Sequence, residues 1–196
     1  MEKTRILALI LIIVLVSFLG FIVENVSSTV FNHKIDNRNM VLPFLLGYGL
    51  AIFVIFKLFG TPNTPLFFGK EIAINGNFKS LLYYFAISFL CVSIGELILG
   101  HFIEWSCQIK WWDYTALPLH VTQYTSIPTS TVFALLITVF MKFMFSPLLD
   151  SFSKINPPSL TVLSLTLIIL LSIDFIHSAI YMFTHHTTLN LWRIEF

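Results

Sequence analysis

Five carboxylates lie in or just beside the long apolar runs of this sequence: Glu24, Glu96, Glu104, Asp113 and Asp174. A carboxylate at the centre of a bilayer costs at least ~2.5–3.5 kcal/mol on insertion scales. Sequences that keep such groups usually keep them for a site. Each is therefore a candidate to hold a cation, a proton or a polar substrate. Glu96, Gly100 and Glu104 are spaced i, i+4, i+8 and share one face of a helix. Gly100 lets a neighbouring helix or a ligand come close, and Gly95 thins the same region. The face reads as a cation or substrate pathway. The alternative is a pair of packing carboxylates hydrogen-bonded to Ser, Tyr or Trp.

Histidine adds little. Asp174 and His177 are three apart, as are His101 and Glu104, so each pair shares a helix face. These look like fragments of a bundle metal site, but such sites need a matched set of ligands. The pairs read better as His–carboxylate hydrogen bonds near the interface, and no metal is expected. His185 and His186 fall in wet loop. The string Trp111-Trp112-Asp113-Tyr114, followed by Pro118, carries unusual aromatic area. It is either an interfacial anchor or part of a substrate-facing lid, with Asp113 held by Tyr or Trp donors.

No nucleophile elbow of the form G-x-S-x-G occurs. No G-x-x-x-x-G-K-[ST] phosphate loop occurs either, since Gly69-Lys70 is followed by Glu71. No catalytic residue is assigned, no cofactor is expected, and an enzyme is the less favoured reading. Any ATP-driven role needs a separate ATP-binding subunit. Cys91 and Cys107 are 16 residues apart. On one helix that is ~24 Å, too far for a disulfide.

The elements that position these residues follow from composition. The chain has 196 residues, 57% of them hydrophobic and 11% charged, with net charge +1. Mean hydropathy is +0.87. Soluble domains average about 45–50% apolar and about 25% charged residues. The excess excludes a disordered tail, a nucleic-acid module and an ordinary cytosolic enzyme. It predicts an all-α, polytopic transmembrane bundle, a single integral membrane domain over 1–196. About five helices are expected, near 6–30, 41–60, 81–105, 128–146 and 160–183. Lys3 and Arg5 before a long apolar run with no A-x-A-like site read as an uncleaved signal-anchor. The connections are too short for a folded soluble domain, and no internal repeat is evident.

Lys3, Arg5, Lys57, Lys70, Lys79, Lys142 and Lys154 fall on one side of that threading. Lys34, Arg38, Lys110 and Arg193 fall on the other. The bias predicts a cytoplasmic N terminus. Trp105, Trp111, Trp112 and Trp192 all fall at the opposite face. The first, third and fifth helices run the same way, with Glu24, Glu104 and Asp174 in their later halves. One polar pocket opening toward the Trp-rich face is the expectation.

Three blocks carry a family resemblance: Ser17-Phe18-Leu19-Gly20-Phe21-Ile22-Val23-Glu24, then Pro43-Phe44-Leu45-Leu46-Gly47-Tyr48-Gly49, then Glu96-x-x-x-Gly100-x-x-x-Glu104 with Trp111-Trp112-Asp113-Tyr114-Thr115 and Pro118. They resemble the bacterial ABC-transporter permease family of CmpB type, also called ABC-transporter type IV. The resemblance runs from about Ser17 to Pro147. Leu42, Leu46, His120 and Gln123 depart from the family's Gly, Pro, Asn and Gly, so the chain resembles a divergent member. The resemblance implies a multi-pass cell-membrane permease and a possible ATP-binding partner. On matched positions it implies Glu24, Glu96, Glu104, Asp113 and Tyr114 as substrate- or ion-binding residues, with Trp112 and Gly100 beside them. Asp174 and His177 lie beyond the matched blocks.

The sequence reading is thus a permease-like subunit whose acidic, aromatic site handles a substrate or ion. It acts in the bilayer, as a homo-oligomer or with a partner, and without nucleic acid. Two alternatives stay open: a non-catalytic assembly or sensor subunit, and a membrane-embedded enzyme acting on a lipid or isoprenoid.

Overall fold

The computed structural model describes residues 2–196. It is an all-α membrane protein with only small sheets. Helices α1 (Glu2–Asn32), α2 (Leu46–Phe59), α3 (Asn77–Cys107), α4 (Ile127–Val139), α5 (Phe145–Ser153) and α6 (Pro157–His185) carry the chain. A π-helical turn, Phe140–Met144, joins α4 to α5 in one rod, Ile127–Ser153. Four helical segments are long and apolar enough to cross a membrane: α1, α3, the Ile127–Ser153 rod and α6.

The second expected helix is shorter than its apolar run. It starts at Leu46, not Val41, and has 14 residues. At ~1.5 Å per residue it spans about 21 Å, short of a ~30 Å hydrocarbon core. Val41 to Leu45 are apolar but do not form helix, because their amides go elsewhere. Val41 and Leu42 N–H donate to Asp174, and Leu45 N–H donates to the Ser17 carbonyl. The fourth helix runs the other way, past the expected end at Ser146 and through Pro147. Proline lacks an N–H and crowds the carbonyl four residues back. The wider π turn just before it, with Phe145 N–H bonded to the Phe140 carbonyl, precedes that position.

The chain divides into two compact units, residues 1–53 with 148–196, and residues 54–147. In the first, α1 packs against α6. Ile13, Val14, Leu46 and Leu171 form one apolar cluster, and Leu7, Leu11 and Leu160 another. Gly49 of α2 meets α1 so closely that a Cβ would stand 2.6 Å from Ser17 Oγ. Strands β1 (Lys34–Asp36) and β5 (Arg193–Glu195) pair antiparallel. Buried Asn37 and Asn39 clamp the returning tail: Leu189 N–H donates to Asn39 Oδ1 at 2.6 Å and Leu191 N–H to Asn37 Oδ1 at 3.1 Å.

In the second unit, α3 packs against α4. The connection before α3 holds a small sheet, β2 (Gly60–Thr61), β3 (Thr64–Phe67) and β4 (Lys70–Glu71). Its second turn is built on Phe68 and Gly69, both at positive φ. Tyr84 and Tyr83 of α3 donate to the Gly60 and Leu66 carbonyls at 3.0 and 2.6 Å. Lys142 Nζ donates to Asn63 Oδ1 at 2.6 Å. Ser126 caps α4, its Oγ accepting from Thr129 N–H, with Pro128 in the first turn. Most of the apolar surface of α3 faces outward, including Leu90, Ile94, Ile98 and Phe102. That is the pattern of a helix solvated by lipid.

Candidate functional site

Glu24 sits in the later half of α1, half-buried and fully engaged. Arg38 Nη2 donates to its Oε2 at 2.6 Å, and the Tyr48 hydroxyl donates to its Oε1. The turn before α2 presents Arg38. Asp36 N–H bonds Asn25 Oδ1 at 2.9 Å, Arg38 N–H bonds Asp36 Oδ1 at 2.9 Å, and Arg38 and Asn39 take left-handed backbone. Tyr48 reaches Glu24 because its ring lies on Gly20, where a Cβ would stand 2.5 Å from the ring's Cγ.

Asp174, buried on α6, spends both oxygens on backbone. Val41 and Leu42 N–H donate to Oδ1 and Oδ2, each at 2.9 Å. His177 is exposed, so the expected carboxylate–histidine bond does not form. The same holds for His101: its Nδ1 meets the Leu97 carbonyl at 2.8 Å and its ring lies edge-on to Tyr124.

In the second unit, Glu96 and Glu104 project from one face of α3 toward the loop and α4. The Ser130 hydroxyl reaches Glu96 Oε2 at 3.4 Å and meets Thr125 Oγ1 at 3.1 Å. Gln123 Nε2 donates to Glu104 Oε2 at 3.2 Å. Gly100 between them lies beneath the Tyr124 ring, where a Cβ would stand 2.5 Å from Cδ1. Tyr124 is fully buried. Burial first, then the adjacent Glu104 carboxylate, push its phenol up to about 12. Gly95 plays no comparable part: a Cβ there meets nothing within 4 Å.

The aromatic loop is folded rather than merely sticky. Trp112 Nε1 donates to the Tyr124 carbonyl at 2.9 Å, with the two rings 5.8 Å apart. Tyr114 N–H donates to the Gln123 carbonyl at 2.8 Å. Asp113, in contrast, is fully exposed and is held by no Tyr or Trp donor. It caps its own turn, accepting from Thr115 N–H at 2.8 Å, and that bond holds its carboxyl below the usual range. Among the described residues no three His, Cys, Asp or Glu side chains cluster as metal ligands.

The residues that sequence reasoning left out are Arg38, Tyr48, Gln123, Tyr124 and Ser130. Tyr48 lay within a quoted block and Gln123 was marked as a departure, but no spacing ties them to a carboxylate.

The profile of the family described as "putative ABC-transporter type IV" matches residues 11–179. The chain belongs to this family. The match extends past the blocks legible by eye and takes in α6 as far as Ala179, with Asp174 and His177. Neither the curated proteins nor the solved structures give a match.

The Glu24 arrangement yields a direct test. Its two side chains are 25% and 24% exposed, so the pair is partly screened. Arg38→Met is expected to cost about 1–3 kcal/mol, below the ~3–5 kcal/mol of a fully buried broken pair. Arg38→Met with Glu24→Gln is expected to cost less than the sum of the singles, with a coupling of about 1–2 kcal/mol. Equilibrium unfolding of the four proteins in one detergent measures it. Additive costs would mean that the pair does not hold the turn.

Proposed function

We propose that this family member is a permease-like membrane subunit whose working site is the α3 face bearing Glu96 and Glu104. The observation that carries the reading is the lining of that face. Two carboxylates on one face of an apolar helix, with Gly100 between them, are met by Ser130, by Gln123 and by the buried Tyr124. Glu24 and Asp174 are engaged by Arg38, Tyr48 and backbone amides, which suits structural roles. Carboxylates on a membrane helix hold cations or proton-linked solutes, and movement of the flanking elements alternates access. The Trp112–Tyr124 loop acts as the lid of this site. Tyr114 and Asp113 shape the lid rather than touch the cargo.

In this reading the chain acts as one integral domain of a cell membrane, with a cytoplasmic N terminus and four or five crossings. Without a phosphate loop, energy from ATP comes from a separate subunit. An enzyme acting on lipid is less well supported. The apolar groove of about 320 Å³ between α1 and α6, lined by Leu11, Val14, Phe18, Leu163 and Leu167 among others, has no carboxylate in its lining.

The test is a mild-detergent pull-down of the tagged chain from its own cells, with mass spectrometry and an ATPase assay. A stoichiometric ATP-binding partner and ATPase activity are expected. A chain that purifies alone and shows no ATPase removes the ABC-type subunit and leaves secondary transport or a sensor role.

A further inference from the structure

The two units, each taken by itself, contain the same device. In the first, Gly20 lies under the ring of Tyr48, and Glu24, one turn further along α1, accepts the tyrosine hydroxyl. In the second, Gly100 lies under the ring of Tyr124, and Glu104, one turn further along α3, is the carboxylate beside that tyrosine. Each tyrosine stands at the entry to the next helix: Tyr48 in the first turn of α2, Tyr124 just before α4. No whole-chain repeat is legible in the sequence because only Gly-x-x-x-Glu recurs at fixed spacing. The tyrosine arrives through loops of different length.

The copies differ in one respect. In the first, the Arg38 guanidinium neutralises the carboxylate at 2.6 Å. In the second, no Lys, Arg or His lies within 4 Å of Glu104 among the described residues, and the neutral Gln123 amide stands at 3.2 Å. A second observation singles out this copy. Tyr124 is 0% exposed, and its hydroxyl, beside the Glu104 carboxylate, makes no hydrogen bond of normal distance and angle. Buried hydroxyls are normally satisfied, and one that is not calls for an explanation. A carboxylate on an apolar helix without a countercharge is similarly costly.

We propose that the Glu104–Gln123–Tyr124 cradle is a binding subsite for an organic cation bearing a guanidinium or primary ammonium group. Such a group takes the place that Arg38 fills in the first unit. Its N–H donors match the carboxylate. The Tyr124 oxygen accepts a further one. The partly exposed ring of Trp112, which packs on Tyr124, favours a cation over a neutral amide. The proposal rests on the reading of the α3 face as the working site and adds the class of ligand.

The experiment uses the full chain in detergent, titrated with methylguanidinium chloride against sodium chloride of equal ionic strength. Heat and tryptophan emission are followed, since Trp112 adjoins the cradle. Saturable binding is expected in the native chain. Glu104→Gln is expected to weaken it at least about tenfold, the loss of one charge-assisted hydrogen bond. Gln123→Arg installs the missing cation and is expected to abolish binding while the thermal midpoint holds or rises. No saturable binding in the native chain, or an unchanged titration in either variant, overturns the proposal. If Glu104→Gln does not fold, Gln123→Arg decides alone. Flux of the same cation into proteoliposomes is read separately. Saturable binding without flux overturns transport and supports the subsite. Flux that neither substitution alters overturns the subsite and supports transport.

Discussion

Asp174→Leu is expected to be the most damaging single change in the first unit. The carboxylate is only 7% exposed, and both its oxygens accept backbone N–H groups at 2.9 Å. Removing the acceptor strands the amides of Val41 and Leu42. Each partly buried N–H left unpaired costs about 1–3 kcal/mol, so the change costs about 2–4 kcal/mol after partial relaxation. Asp174→Asn keeps one acceptor oxygen but turns an NH2 toward a donor, and about half that loss is expected. Thermal unfolding in detergent gives the size. Hydrogen exchange at Val41 and Leu42 gives the place, because only those amides and their neighbours should lose protection. The reading fails if Asp174→Asn leaves stability and exchange untouched. Impaired function in such a variant would make Asp174 a working acid instead.

That carboxylate also explains why the second helix begins late. Window hydropathy sees Val41–Leu45 as a continuation of apolar sequence. It cannot see that the amides of this stretch are taken by α6 and by the Ser17 carbonyl. The long helices were legible because an apolar run beyond about 18 residues has few other fates. The rod from Ile127 to Ser153 was cut short for the opposite reason: Pro147 signals a stop, and the π turn that precedes it leaves no mark in composition. The small sheet before α3 was not legible, because its strands are too short for a period to show.

The candidate site divides in the same way. Glu96, Gly100 and Glu104 were legible because helical spacing is local arithmetic. Their partners were not. Gln123, Tyr124 and Ser130 come from a loop and the next helix, and chain closure sets them. The Tyr or Trp donors expected for Asp113 are replaced by a local bond: a short carboxylate two residues before Thr115 accepts that residue's N–H, which competes with any more distant donor. Glu24 was read for its charge, yet Arg38 had been counted only toward membrane orientation. That arginine neutralises the carboxylate across the turn before α2.

The two glycines on α3 should respond to alanine with opposite signs. Gly95→Ala adds a methyl where nothing lies within 4 Å, so only the backbone term acts. Alanine is favoured over glycine in a helix by up to ~1 kcal/mol, and a small gain or no change is expected. Gly100→Ala adds the same methyl 2.5 Å from Tyr124 Cδ1 and 2.8 Å from its Cβ. The tyrosine is fully buried and tied through its carbonyl to Trp112, so it has little room to yield. Overpacking of this kind costs about 1–3 kcal/mol, more than the propensity gain returns. Two readouts separate a local from a global effect. The thermal midpoint should fall for Gly100→Ala alone. Tryptophan emission should shift to the red in that variant alone, as the Trp112 Nε1–Tyr124 bond lengthens and water enters. If the two variants behave alike, Tyr124 does not pack on α3 in the membrane. The carboxylate of Glu104 would then have no roof, and the case for a built site on that face would go with it.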